Sequence, residues 1–339
     1  MDFRFSQDAL DLADGARSFL DGANPQERLR SQDGRDSLWP QLAALGLLGV
    51  LAPESAGGLG LHDDSFVLIA EAAGRVCLPE PLVALAAISV PAVLATYPDE
   101  VGGLVRGDHV SPPVHPLAPY VHDADKADAF IIAGPDALYG VPSSKARLTP
   151  VKSIDPNRNL FRVEADLTDE LKVGDADLCA VMAVRGSTYT AAQLLGLTDA
   201  MIQMATDYAK EREQFGQPIG GFQAIKHHLA SAQVKLEFAR PVVYRAAASL
   251  DVDSIARQQV HAAHAKIAAN EAARFATEVA IQVHGAMGYT FEVDLHYFMK
   301  RAWALETIWG DTAHHSMIIN QAVIDGGLDI GPGTTFDAA

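Results

Sequence analysis

A sustained apolar seam in the last third of the chain constrains its fold more than any other feature. From Phe222 to Leu250, apolar side chains recur at alternating steps of three and four residues. That spacing is typical of a long helix packed in a bundle. A second long helix is predicted to begin after Ser254, a residue type that caps helix starts, and to end at Gly285 in the C-terminal cap position.

The first hundred residues also have a helical pattern. Ser6 precedes apolar residues at helical spacing as far as Leu20, which predicts a capped amphipathic helix. Trp39 and the proline after it open another helix, and a third is predicted from about 64 to 75. We therefore assign residues 1–104 to an N-terminal helical domain.

Residues 105–187 differ, because prolines and short β-prone runs dominate them. Gly134-Pro135 and Asp155-Pro156 separate segments of strand length, which favours a small antiparallel sheet unit. The runs expected to form strands are 129–132, 137–141, 160–164 and 177–182. The predicted fold is α+β: a helical domain, a short middle β-domain over 105–187 and a C-terminal four-helix bundle over 188–339.

Charge and composition exclude several classes of partner. A net charge of −17 over 339 residues opposes bulk binding to nucleic acid or anionic membranes. Cys77 and Cys179 are too far apart in sequence for a disulfide framework or a metal knuckle. The apolar run 82–97 is shorter than a bilayer span and contains Pro91, so a buried helix is expected. The chain start lacks the order of a signal peptide, and a cytoplasmic location is expected.

Two motifs near the seam contain the candidate ligand-binding residues. The first runs Arg212-Glu213-Gln214-Phe215-Gly216-Gln217-Pro218-Ile219 and continues into Phe222-Gln223-Ala224. An arginine guanidinium is a planar, permanently charged fork that suits a pyrophosphate; Gln214 or Gln223 would add amide hydrogen bonds, and Phe215 would pack on a flat ring. The plainer alternative is that Arg212 is a solvated cation at a helix end.

The second motif runs Gln282-Val283-His284-Gly285-Ala286-Met287-Gly288-Tyr289-Thr290. A glycine here lets the backbone approach a ligand closely, and its exposed N–H groups can serve as anion donors. The plainer alternative is that Gly285 only caps a helix.

Both motifs resemble the flavin-binding signature of acyl-CoA dehydrogenases. The segment from Leu45 to Gly60 is similar to that family's N-terminal domain, and Ser153 to Val163 resembles its β-domain. The resemblance implies FAD as the cofactor. It also implies that Arg212, Phe215, Gln223 and Gln282–Gly285 reach across a subunit interface to hold the adenine–diphosphate half of an FAD whose ring lies in the neighbouring subunit.

The same resemblance indicates that the catalytic glutamate of the family is missing from this chain. The family's usual catalytic glutamate aligns with Trp309, followed by Gly310, and the alternative position used by some members falls on Gly186. Neither residue can remove a proton from an acyl thioester. The loop that normally touches the flavin ring is not recognisable in the corresponding region 110–116. No catalytic residue is therefore assigned.

Weaker candidates remain near these positions. Glu306 precedes Trp309 by almost one helical turn, and Asp311 follows it by two residues, so either acid is an alternative base. His261 and His264 are spaced like a pair of helix metal ligands, but no third ligand follows at metal-site spacing. We therefore expect no metal.

Three functions are compatible with these motifs. The preferred one is the non-catalytic subunit of a heteromeric acyl-CoA dehydrogenase, with a homologous partner that brings the glutamate in an α2β2 heterotetramer. Run 285–296 resembles actinobacterial enzymes of this type that act on steroid side-chain CoA thioesters. The alternatives are a self-sufficient homomeric acyl-CoA dehydrogenase that uses Glu306 or Asp311, and a scaffold that has lost flavin.

Overall fold

The N-terminal region is helical because its capping and apolar patterns agree. The computed structural model describes residues 4–31 and 37–328. Ser6 caps the first helix, with its hydroxyl accepting from the Ala9 N–H at 3.2 Å, as the sequence predicts. The helices of this region are α1 (Gln7–Gly22), α2 (Pro25–Arg30), α3 (Trp39–Ala44), α4 (Asp63–Arg75), α5 (Val90–Thr96) and α6 (Val101–Val105).

The apolar run 82–97 is a buried helix, as predicted. It contains a π-helical stretch, Ala84–Ser89, which leads directly into α5. Among the helices of the described residues, none has both the length and the apolar character needed to cross a bilayer.

The middle region forms two small sheets. One has the strand order β1-β3-β4-β7 and the other β2-β6-β5; β1 pairs with β3 in parallel, and the other pairs in these two sheets are antiparallel. The strands are β1 (Pro113–Val114), β2 (Tyr120–His122), β3 (Ala129–Ala133), β4 (Ala137–Pro142), β5 (Ala146–Val151), β6 (Leu160–Ala165) and β7 (Lys172–Asp175). Three of the four predicted strands are confirmed, as β3, β4 and β6.

The strand predicted over 177–182 is wrong. Those residues open α7 (Ala176–Glu211), whose first turn is capped by the Asp175 carboxylate accepting the Leu178 N–H at 3.2 Å. A cap followed by a long buried helix outweighs the β-propensity of a short apolar run. Helix α7 also continues across the predicted domain limit after residue 187, and the three domain ranges stay a prediction.

The C-terminal helices pack around α7. After α7 come a short hairpin of β8 (Glu213–Gln214) and β9 (Gln217–Pro218), then α8 (Gln223–Ser249), α9 (Ile255–His284), α10 (Leu295–Thr307) and α11 (Thr312–Ile319). Helices α8 and α9 match the predicted limits, including Ser254 and Gly285 as the caps of α9.

Two glycines let α4 and α7 cross closely. A Cβ on Gly74 would lie 2.1 Å from the Gln193 carbonyl oxygen, and a Cβ on Gly196 would lie 1.9 Å from the Glu71 carbonyl oxygen. Only glycine permits two helix backbones to approach this far. The crossing joins the N-terminal helices to the C-terminal bundle in one continuous core.

Candidate functional site

An aromatic stack brings the two sequence motifs to the same end of the bundle. The rings of Tyr208, in the last turn of α7, and His284, at the end of α9, are stacked with centroids 4.4 Å apart. The backbone N–H of Arg212 donates to the Tyr208 carbonyl at 2.8 Å. The first motif therefore begins beside the start of the second, although Arg212 and His284 are 72 positions apart in sequence.

The first motif is displayed on the surface. Arg212 is the exposed C-cap of α7, and Gln214 and Gln223 are also exposed. Phe215 is 94% exposed and adopts a left-handed backbone conformation, φ +55°, at the tip of the β8–β9 hairpin. The ring has one aromatic neighbour, Phe222, with the ring centroids 6.1 Å apart, and the rest of its apolar area is free to contact a ligand or partner.

Some side chains of the second motif are buried in the core, and others lie on the surface. Val283 and His284 are buried, so their side chains face the bundle, whereas Gln282 and Gly285 are exposed. Burial lowers the pKa of His284, whose Nδ1 lies 2.8 Å from the Ala280 carbonyl oxygen. Gly285 has φ +57°, and no atom lies within 4 Å of a Cβ built on it. Its backbone is therefore open to a ligand.

The two positions where the resemblance places a catalytic base touch each other. A Cβ on Gly186 would lie 2.1 Å from Cδ2 of the Trp309 indole. Trp309 is 4% exposed and belongs to an apolar cluster with Met182 and Ile88. The indole therefore occupies the space beside both positions, and neither position carries an ionisable group.

Backbone hydrogen bonds fix Trp309. Its N–H donates to the Leu117 carbonyl at 2.7 Å, and its own carbonyl accepts from the Ser187 hydroxyl at 3.0 Å. The same carbonyl lies 3.0 Å from Nε2 of the buried His315. These contacts hold Trp309 at φ +61°, a conformation that a bulky residue adopts only where its surroundings impose it.

A buried lysine supports the same segment, and the sequence analysis missed it. The Lys266 ammonium, 0% exposed, donates to the carbonyls of Leu305, Glu306 and Gly310 at 2.8, 3.0 and 3.2 Å. Burial lowers its pKa to about 7. The signal available in the sequence was a single lysine within the alanine-rich stretch 262–269, on the face that α9 turns to the core.

The two alternative bases lie in different surroundings. Glu306 is half-buried; its Oε1 is buried without a hydrogen-bond partner among the described residues, and burial raises its pKa against the opposing fields of Arg274 and Lys266. Asp311 is exposed and caps α11, with its carboxylate accepting the His314 N–H at 2.8 Å. Glu306 is therefore the acid whose environment is closer to that of a general base.

His261 and His264, the histidines considered as metal ligands, lie in surroundings that do not form a metal site. His261 is buried, with Nε2 3.3 Å from Asp253, and burial lowers its pKa to about 4. Burial also lowers the pKa of His264. Across residues 4–31 and 37–328, no three His, Cys, Asp or Glu side chains cluster in a way that could hold a metal ion.

Two models of one protein family match the chain. The model of the acyl-CoA dehydrogenase N-terminal domain matches residues 6–104, and that of the C-terminal domain matches residues 185–324. Together these matches span more than half of the sequence. This chain belongs to the acyl-CoA dehydrogenase family. The family consists of FAD-containing oxidoreductases, in agreement with the expected cofactor.

Known relatives extend the match across most of the chain. The acyl-CoA dehydrogenase IpdE2 of Mycobacterium tuberculosis is 33% identical over 273 residues, which is 79% of this chain and 80% of that protein. The ChsE4–ChsE5 complex of the same organism has the same fold, with a TM-score of 0.86 and 23% identity over 96% of this chain and 99% of the other. The Tcur3481–Tcur3483 steroid acyl-CoA dehydrogenase also has this fold, with a TM-score of 0.83 and 22% sequence identity. The match covers 95% of this chain and 99% of the other.

Proposed function

We propose that this chain is the non-catalytic subunit of a heteromeric, FAD-dependent acyl-CoA dehydrogenase. The observation that carries the proposal is the contact between Trp309 and Gly186. It leaves both base positions without a carboxylate and fills the adjoining space with an indole. The family reaction needs a carboxylate to remove the α-proton of the thioester. In this proposal the homologous partner subunit supplies it.

The exposed end of the bundle is where this chain would contact FAD. Arg212 would pair with the pyrophosphate, Gln223 and Gln282 would donate amide hydrogen bonds, and Phe215 would pack on a ring. The surface at Gly285 is open enough for close approach of a ligand, since no atom lies within 4 Å of a Cβ built there, although the Gly285 N–H already donates to the carbonyls of Ile281 and Gln282. FAD held there would supply the hydride acceptor for the β-carbon of the thioester. This chain's residues would only orient the dinucleotide, since its own acyl space is closed by Trp309.

The names of the relatives support a proposal for the substrate class and the assembly. The Tcur3481–Tcur3483 steroid acyl-CoA dehydrogenase and the ChsE4–ChsE5 complex are among the proteins of this fold, and each is named for two chains. We therefore infer a cytoplasmic α2β2 heterotetramer acting on bulky acyl-CoA thioesters such as steroid side-chain esters. One closed acyl site in each pair of subunits would leave room at the other site for a large substrate.

A self-sufficient enzyme is the second candidate, and Glu306 favours it. Its carboxylate is half-buried, one oxygen has no hydrogen-bond partner among the described residues, and its pKa is raised. This candidate predicts that the isolated chain oxidises an acyl-CoA and that Glu306→Gln abolishes turnover while FAD is retained.

Purification of the chain alone, and then with a homologous partner subunit, distinguishes the candidates. We expect the isolated chain to show no turnover of octanoyl-CoA with an artificial electron acceptor, and the pair to be yellow and active. Arg212→Gln should release FAD from the pair, whereas Arg147→Gln, an exposed arginine of β5, should not. Turnover by the isolated chain would disprove the subunit role. A pair that never contains FAD would favour a flavin-free scaffold.

A further inference from the structure

A small internal cavity lies beside the crossing of α4 and α7, where α10 packs on α7. We call this space, between Ala73, Glu80, Leu82, Leu197 and Arg301, the crossing cavity. The volume open to the centre of a water molecule is about 10 Å³. One buried water needs roughly 10–15 Å³ by the same measure. The crossing cavity is therefore too small for a metabolite and large enough for one water.

Arg301 of α10 brings a buried donor to this cavity. Its Nε donates to a carboxylate oxygen of Asp155, and its Nη1 donates to the Leu78 carbonyl at 2.8 Å. Its Nη2 is buried and has no hydrogen-bond partner among the described residues. The guanidinium has five N–H donors, so the protein groups around it leave part of its donor capacity unused.

Glu80, in the segment after α4, brings the complementary acceptor. Its Oε1 accepts from Nη2 of Arg28 at 2.5 Å and from the backbone N–H of Leu38 at 2.9 Å. Its Oε2 is buried and accepts no hydrogen bond from the part of the chain that the structure describes. Because an unsatisfied buried acceptor is costly, this oxygen favours a further donor.

The charges of Arg301 and Glu80 act on each other without direct contact. Burial would lower the pKa of Arg301, but the charge of Asp155, and more weakly that of Glu80, raise it. Glu80 forms its ion pair with Arg28, and Arg301 forms its own with Asp155. Within residues 4–31 and 37–328, no ion pair joins Arg301 to Glu80 directly. Polar groups separated in this way are commonly bridged by water.

The two charges also select the occupant. The Glu80 carboxylate would repel an anion, and the Arg301 guanidinium would repel a cation, so the occupant is neutral. It has to accept a hydrogen bond from Nη2 and donate one to Oε2, which an apolar molecule cannot do. A water molecule does both and has the size that the crossing cavity admits.

We propose that the crossing cavity binds one structural water, which accepts from Nη2 of Arg301 and donates to Oε2 of Glu80. The bridge ties α10, the helix before Trp309, to the N-terminal helices that Glu80 holds through Arg28 and Leu38. The proposal does not depend on the subunit role, because none of the bridged groups belongs to the FAD-contacting motifs.

A crystal structure of the full chain, at a resolution that shows individual waters, tests the site in the wild type. We expect one ordered water about 2.7–3.2 Å from both Nη2 of Arg301 and Oε2 of Glu80. A crystal soaked in sodium bromide should show no anomalous signal at this position. The proposal is overturned if the cavity is empty, if the two side chains pair directly, or if bromide occupies the space.

Ala73→Val tests the site in solution, because it adds two methyl groups to the wall of the crossing cavity. Oxygen-17 magnetic relaxation dispersion counts the waters that remain inside a protein longer than it takes to tumble. We expect Ala73→Val to lose about one such water per chain relative to the wild type. The control is Ala256→Val, at an exposed alanine of α9, which should lose none. Equal counts in the wild type and Ala73→Val would contradict the proposal, and the crystal experiment decides it if Ala73→Val does not fold.

Discussion

The Trp309 indole lies against the bare Cα of Gly186, so closely that a methyl group on that glycine would lie 2.1 Å from the ring. The two residues come from α7 and from the turn after α10, 123 positions apart. Family resemblance identifies both as base positions, yet here they form one packed contact. A glycine at one position is what allows a tryptophan to occupy the other.

Replacement of Gly186 by alanine should destabilise the fold. The added methyl overlaps the buried indole, and overpacking of this kind costs about 1–3 kcal/mol in the free energy of unfolding. Urea denaturation of Gly186→Ala measures it. The control is Gly15→Ala in α1, where a Cβ meets no atom within 4 Å and stability should not fall. In a Trp309→Ala background the cost of Gly186→Ala should shrink, and an unchanged cost would contradict the contact.

Lys266 should make stability rise with pH. Its folded pKa of about 7 lies below its ordinary value of 10.5, so between these values the unfolded chain binds more protons than the folded one. The free energy of unfolding therefore gains up to about 1.4 kcal/mol per pH unit in this window from this residue. The difference between wild type and Lys266→Met, measured by urea denaturation from pH 7 to 10, should show this slope. Parallel curves would show that Lys266 does not titrate there.

His315 should contribute to acid sensitivity. Burial, and then the Lys266 charge, lower its folded pKa to about 4 from an ordinary value of 6.5. The unfolded state takes up the proton first as the pH falls through this window, so stability is lost between pH 6.5 and 4. His315→Gln retains a donor for the Trp309 carbonyl but cannot titrate. Its stability should fall less steeply with acid than that of the wild type; equal slopes would refute the assignment.

Phe215 should matter for cofactor retention and hardly at all for folding. Its ring is 94% exposed, so Phe215→Ser should change the free energy of unfolding by no more than about 0.5 kcal/mol. In the complex with the partner subunit we expect a lower FAD content, measured by absorbance after gel filtration. Phe238→Ser, at an aromatic residue of α8 that is 75% exposed, is the control and should leave FAD content unchanged.

Local signals in the sequence were sufficient for the long helices. Ser6, Ser254 and Gly285 lie at helix caps as predicted, because capping depends on residues within one turn of the helix end; the Ser6 hydroxyl accepts a capping hydrogen bond, whereas the Ser254 side chain makes none. The strand predicted over 177–182 was wrong because a short apolar run has no local property that separates a strand from the buried start of a helix. The Asp175 cap was the local signal that could have decided it.

Residue patterns alone were enough to identify the family, the helical ends of the chain and the absence of a glutamate at the positions of Trp309 and Gly186. The contact between these two residues, and the burial of Lys266 beneath the segment carrying Trp309, became visible only in the folded chain. The reason is physical: a cap or a periodic seam is a property of neighbouring residues, whereas burial and charge pairing depend on side chains that folding brings together from distant parts of the chain.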